Sequence, residues 1–265
     1  MPSGWVQMAP FDGSRFSGAA MGRLTSDRCA GTDAAMSTLR SLTGPRLAPA
    51  SGRAPKALIV LLHGVGADGQ DLIGLAPYWA PHLPEAEFLA PDGPEPCDMA
   101  PYGRQWFSLQ DRTPTVMEAG LQAAAPILNA FLDQALAERG LTDSDLALVG
   151  FSQGTMTSLY TALRRPRPCA AVVGYSGALL AARTLARDIR SRPPVLLVHG
   201  EDDPVVPFAA MAAAETALQD AGVAVETLAR PGLGHSIDPE GLGAGLALLQ
   251  RTLPQAGEAE RVTTS

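Results

Sequence analysis

Gly150-Phe151-Ser152-Gln153-Gly154 lies between an apolar run, Leu146 to Val149, and a stretch of helical character, Thr155 to Leu163. In that setting G-x-S-x-G reads as a buried strand turning sharply into a helix, with one serine hydroxyl pushed out at the bend. The bend leaves no room for a Cβ on either side of Ser152, which accounts for both glycines, and it strains the backbone of Ser152 itself. A pattern with three fixed positions also recurs by accident. The strand before it and the helix after it argue against accident here.

Outward from this bend the chain alternates. Lys56 to Leu62, Glu87 to Ala90, Ala170 to Val173 and Val195 to Val198 read as short buried strands, and Val223, Val225 and Thr227 as a half-covered one. Between them lie helical segments: Gln70 to His82, interrupted by Pro77; Met117 to Arg139, with a kink or late start at Pro126; Leu179 to Ile189; Phe208 to Ala221, closed by Gly222; and Pro239 to Leu253. Crossovers of helical length imply an α/β fold with a mainly parallel central sheet and helices on both faces. Pro91 to Pro114 has no period and reads as a long loop, and residues 39–55 hold at most one edge strand. Residues 39–253 are expected to form a single domain. Residues 1–38, rich in Gly, Ser, Ala and Arg, read as a flexible extension, or as sequence upstream of a start at Met21 or Met36, and 254–265 as a polar tail.

Composition narrows the function. A formal net charge of −7 and a pI near 5.1 leave no basic surface for nucleic acid. The longest aliphatic run, Ala57 to Leu62, is far short of the roughly 20 residues of a membrane span. Cys29, Cys97 and Cys169 are widely separated, without the spacing of a metal or redox pair, and read as idle thiols in a reducing, cytoplasmic setting.

A serine hydroxyl needs a base to take its proton, and histidine suits that task near neutral pH. Of the four histidines, His82 falls at a helix end, and His63 and His199 sit where strands meet glycine and could bond neighbouring backbone. His235 lies in Gly232-Leu233-Gly234-His235-Ser236, read as a flexible loop before the last helix, and leaves room for an acid between it and Ser152. That order, serine, acid, histidine, is the order of α/β hydrolases. The acid must orient the imidazole, and Glu201, Asp202 and Asp203 all follow the strand ending at His199. Two backbone N–H groups should face the developing oxyanion: that of Gln153, just after the serine, and one in His63-Gly64-Val65-Gly66, with Val65 the candidate. Nothing in this set requires a metal or cofactor. The same loop, Gly64-x-Gly66-x-x-Gly69, also matches the dinucleotide fingerprint, but the acid that should end the second strand is misplaced: Glu85 and Glu87 come too early and Asp92 follows a proline.

With these pieces the chain resembles the bacterial carboxylesterase/phospholipase family of α/β hydrolases that includes the acyl-protein thioesterases. The resemblance spans about Leu39 to Leu253. It rests on His63 to Gly69, Trp106-Phe107, Gly150 to Gly154, His199-Gly200-Glu201-Asp202-Asp203-Pro204-Val205-Val206-Pro207, and Gly234-His235. It implies an α/β-hydrolase fold, Ser152 as nucleophile, His235 as base and Asp203, the aspartate before proline, as orienter. It implies a serine carboxylesterase for short- to medium-chain esters, with lysophospholipase or acyl-protein thioesterase as alternative and an inactive binding module as a remote one. Trp106 would line the acyl pocket or belong to a small satellite core. A homodimer through an exposed apolar patch is compatible with such a fold. One departure stands beside the bend: Thr155 occupies the position where the family often has a second glycine.

Overall fold

The computed structural model describes residues 41–254; the extension read over 1–38 and nearly all of the tail lie outside them. In chain order the strands are β1 (Arg46–Leu47), β2 (Ala57–Leu62), β3 (Ala86–Leu89), β4 (Glu95–Pro96), β5 (Arg104–Gln105), β6 (Leu146–Phe151), β7 (Ala171–Tyr175), β8 (Val195–Gly200) and β9 (Val225–Arg230). The helices are α1 (Gly69–Leu72), α2 (Ala76–Trp79), α3 (Pro114–Arg139), α4 (Gln153–Ala162), α5 (Ala182–Asp188), α6 (Ala209–Asp220) and α7 (Pro239–Thr252).

One sheet carries seven strands in the order β1-β3-β2-β6-β7-β8-β9. Only β1 runs antiparallel to its neighbour; every other pairing is parallel. The chain winds from β2 outward to β3, then crosses back to place β6 on the other side of β2. The carboxyl ends of β2 and β6 therefore flank the point where strand order reverses, the place where such sheets open a crevice.

Both faces of the sheet are covered, which is why β2 and β6 are buried at every position rather than at alternate ones. Leu58, Val60 and Leu62 join Leu146 and Leu148 in a core under α3, α4 and α6, with Leu128 and Leu132, Leu159 and Leu218 from those helices. On the opposite face α7 lies close to β7 and β8. A Cβ added at Gly245 would meet Trp79 and Val173, and one added at Gly241 would meet Val198. The Trp79 indole N–H donates to the Leu242 carbonyl at 3.1 Å, tying α2 to α7.

Local departures from the sequence reading have physical causes. The first helical segment is split into α1, a 3₁₀ turn over Ile73–Leu75, and α2, with proline in the first turn of α2, where its missing N–H would have had no partner anyway. Helix α3 begins at Pro114, earlier than the apolar stripe suggests, and runs through Pro126, which sits on its exposed face so that the lost hydrogen bond falls on the solvent side. The Pro91 to Pro114 segment is not featureless. It folds into the β4–β5 hairpin with Trp106 and Phe107 buried at its end.

Candidate active site

The bend after β6 is held by sterics and by carbonyls. Ser152 has φ 54° and ψ −116°, a conformation that a side-chain-bearing residue keeps only when its surroundings impose it. A Cβ on Gly154 would lie 1.7 Å from the Leu62 carbonyl oxygen, and one on Gly150 would lie 2.4 Å from the Thr155 amide nitrogen. The Ser152 N–H donates to the Tyr175 carbonyl at 2.9 Å.

Thr155 accounts for its own departure from the family pattern. Its hydroxyl lies 2.8 Å from the Gly150 carbonyl and 2.9 Å from that of Tyr175, bridging β6 and β7 just below the serine. Its side chain fills space that Gly174 and Gly177 leave open: a Cβ at either would come within 2.5 Å of it.

The loop after β2 lies directly over this bend, since a Cβ on Gly64 would sit 3.3 Å from the Ser152 Cβ. Its turn is closed by Ala67 N–H to the Gly64 carbonyl, and it is paired to the hairpin by Gly66 N–H to the Arg104 carbonyl and Arg104 N–H to the Ala67 carbonyl. On the helix side, Thr155 and Met156 donate to the Ser152 carbonyl. The amides of Val65 and Gln153 take no part in these bonds.

A buried polar network joins the two loops. The Gln153 side chain accepts from the Trp106 N–H at 2.9 Å and donates to the Phe107 carbonyl at 2.7 Å. The Trp106 indole N–H donates to the His63 carbonyl at 3.0 Å. His63 accepts the Gly93 N–H at Nε2, 2.8 Å away, so its proton sits on Nδ1, 2.7 Å from the Gly64 carbonyl. Burial holds His63 below the ordinary imidazole range, and the neutral tautomer is the one these bonds require. Trp106, a candidate pocket wall in the sequence, is 2 % exposed and lies beneath the loop after β2. With Phe107 it belongs to the main apolar core rather than to a separate cluster.

The candidate acid and base, Asp203 and His235, lie on the other side of the crevice. His235 Nδ1 lies 2.7 Å from Asp203 Oδ2, while Val205 and Val206 N–H donate to Oδ1 at 2.8 and 2.9 Å. Burial pushes the Asp203 carboxyl up, but the His235 bond and the two amides outweigh it and hold the carboxyl below the usual carboxylate range. As an acceptor only, the carboxylate fixes the proton on His235 Nδ1 and leaves Nε2 as the basic nitrogen. Glu201 and Asp202 are exposed, so of the three acids the structure brings only Asp203 to His235.

The His235 loop, read as flexible, is stitched to the acid turn: Glu201 N–H donates to the Arg230 carbonyl and Asp202 N–H to that of Leu233. The His235 ring rests on Phe151, the residue before Ser152, with centroids 4.8 Å apart. His82 is exposed at the end of α2, away from this cluster.

The second and third glycines of the dinucleotide-like loop have their amides engaged within the protein. Gly66 N–H goes to Arg104, Gly69 N–H to Asp92 Oδ1 at 2.8 Å, and Asp71 N–H to Asp68 Oδ1 at 3.0 Å. Asp92, the acid nearest the position of a ribose-binding carboxylate, holds the start of α1 instead. Sequence reasoning passed over the Gln153 side chain; it named Thr155 only as a departure and His199 only as a histidine able to bond neighbouring backbone, because hydrogen bonds across strands have no signature along the chain.

A mainly parallel sheet with helices on both faces, a serine on a strained strand-to-helix bend, and an aspartate–histidine pair after later strands define an α/β hydrolase. The Phospholipase/Carboxylesterase family model matches residues 48–252, and the chain belongs to that family. Esterase YpfH of Escherichia coli is 31% identical over 198 residues, 75% of this chain and 84% of that protein. Acyl-protein thioesterase 1 of Gibberella zeae is 26% identical over 215 residues, 75% of this chain and 91% of that protein. The crystal structure of esterase PE8 superposes with a TM-score of 0.78 at 42% identity, covering 81% of this chain and all (100%) of that one.

Proposed function

We propose that the protein is a serine carboxylesterase that hydrolyses short- to medium-chain carboxylic esters through an acyl-enzyme. The observation that carries this reading is the His235–Asp203 bond of 2.7 Å, in a ring resting on the residue that precedes Ser152. Membership of a family whose relatives include proteins named esterase supports it.

In this mechanism Ser152 Oγ attacks the ester carbonyl carbon while His235 Nε2 takes its proton, and Asp203 stabilises the imidazolium. The tetrahedral oxyanion forms between the amides of Val65 and Gln153, donors that the two turns leave available. Collapse breaks the C–O bond, and His235 returns the proton to the departing alcohol. Water, deprotonated by the same imidazole, then attacks the acyl-enzyme, releases the acid and regenerates Ser152.

Thioester cleavage uses the same groups, and the likeness to a protein named acyl-protein thioesterase 1 makes it the second reading. Comparing kcat/KM for p-nitrophenyl esters, lysolipids and acyl thioesters separates the two. The primary test is intact-protein mass after fluorophosphonate treatment. One adduct on wild type and none on Ser152→Ala is expected; no adduct on folded wild type rejects the reading.

The same reading includes a homodimer and a cytoplasmic location. Exposed large apolar side chains among the described residues include Tyr78, Tyr102, Val116 and Val205, and Cys97 and Cys169 are buried free thiols, as a reducing compartment allows. Sedimentation as a monomer at micromolar concentration, or recovery outside the cytosolic fraction, would remove these parts. Among the described residues no helix is long and apolar enough to cross a membrane.

A further inference from the structure

His199 is the last side chain of β8 before the glycine that ends the strand, and it is 2 % exposed. Its Nε2 lies 2.9 Å from the Val206 carbonyl, which can only accept, so Nε2 carries the proton. The same nitrogen is 3.2 Å from Asp203 Oδ2, the oxygen that receives His235. Val206 in turn donates its N–H to Asp203 Oδ1 at 2.9 Å. Both carboxylate oxygens are thus held with the help of one imidazole, Oδ2 by proximity to its N–H and Oδ1 through Val206. Phe208 stands edge-on to the ring, 6.1 Å between centroids.

We propose that His199 is a positioning residue for the reaction: it fixes the plane of the Asp203 carboxylate that orients His235, and tempers the negative charge His235 feels. The proposal rests on the serine esterase reading. The titratable side chains in contact with Asp203 are His235, from the β9–α7 loop, and His199, from β8; Glu201 and Asp202, on the same turn, are exposed.

The sign of the charge effect follows from the bonding. With the His199 N–H removed, the carboxylate presents more of its charge to His235 and stabilises the imidazolium. The acid limb of the kcat/KM profile then moves to higher pH. With the carboxylate plane loosened, kcat falls while substrate binding is untouched.

The experiment compares His199→Phe, which keeps a ring but no donor, with His199→Gln, whose amide nitrogen reaches the Nε2 position. kcat and KM on p-nitrophenyl butyrate are measured from pH 5 to 9, beside thermal unfolding. His199→Phe is expected to lose about 3- to 10-fold in kcat, the usual range for a neutral hydrogen bond such as that to the Val206 carbonyl, with KM within about two-fold and the acid limb displaced upward. His199→Gln is expected to restore most of both. If His199→Phe does not fold, His199→Asn, whose shorter amide cannot reach Asp203, replaces it in the comparison with His199→Gln.

A donor-free variant with wild-type kcat and pH profile, or one whose only change is a lower Tm shared with His199→Gln, overturns the proposal. Fluorophosphonate labelling of wild type separates this failure from that of the underlying reading. An adduct at Ser152 with an indifferent His199 sinks the positioning role alone, whereas no adduct sinks both.

Discussion

The Ser152 side of the crevice is built on β2 and β6, in the middle of the sheet, whereas Asp203 and His235, the proposed acid and base, follow β8 and β9 at one edge. The first side is bonded by neutral groups: Gln153 to the 106–107 backbone, Trp106 to His63, His63 to Gly93, Thr155 to two strand-end carbonyls. The second is bonded by charge, a buried carboxylate receiving an imidazole and two amides. On the central side Asp92 and Arg104 bond only backbone of the flanking loops, because the strands already fix the backbone and only loop height remains to be set. The edge side must bring together residues 32 positions apart in the chain from two separate turns, and a charge-assisted bond supplies the directionality that a sheet edge lacks.

If that contrast is right, damage on the two sides differs in kind and size. Ser152→Ala and His235→Ala should each lose about 10⁴- to 10⁶-fold in kcat with unfolding temperature unchanged, as for residues acting as one unit. A residual rate within ten-fold of wild type breaks the assignment. Asp203→Asn should lose about 10⁴-fold by imposing the wrong tautomer, while Asp202→Asn stays near wild type. The reverse result would transfer the acid to the exposed neighbour.

Changes on the central side should be read in stability and in a smaller kcat effect. Thr155→Val keeps the shape beside Gly174 and Gly177 but removes the one hydroxyl proton shared between the Gly150 and Tyr175 carbonyls, the latter still accepting the Ser152 N–H, and should cost about 0.5–1.5 kcal/mol in denaturant unfolding. No loss of stability would mean the hydroxyl is incidental. Trp106→Phe removes one neutral bond, worth about 0.5–1.5 kcal/mol, and should lower kcat about three- to ten-fold with KM unchanged. A raised KM instead would return Trp106 to the pocket wall.

Acid should weaken the two sides in separate windows. Burial lowers His63 from its ordinary value of 6.5, so the unfolded chain takes up a proton first. Its contribution is complete above about 6.5 and declines as pH falls toward the lower folded value. Asp203 is also lowered, from 3.8, so its contribution is present above that value and is lost only as pH falls through the lower folded one. Thermal unfolding from pH 8 to 3 should show both declines. His63→Gln, which can still accept the Gly93 N–H, should flatten the first and spare the second; equal slopes would remove His63 from the account.

Much of this was legible along the chain, because β2, β6, β7 and β8 are buried on both faces and appear as unbroken apolar runs, and because the bend at Ser152 tolerates only glycine at 150 and 154. Those are local requirements, written in neighbouring residues. The order Ser152, Asp203, His235 is legible for the same reason, since each residue follows a strand in chain order. The long segment after Pro91 did not, because a two-residue hairpin has no period and Trp106 owes its place to a carbonyl 43 positions away.

By itself the sequence determined the alternation of buried strands and helices, the strained serine and the family to which these motifs point, all consequences of sterics and burial within a few residues. Only the tertiary structure decided that Asp203 rather than Asp202 meets His235, that Trp106 is buried with its indole N–H on the His63 carbonyl, and that His199 stands against the carboxylate. Each of those depends on where hydrogen-bonding groups from distant strands converge, and a converging set of directional bonds exists only once the sheet has assembled.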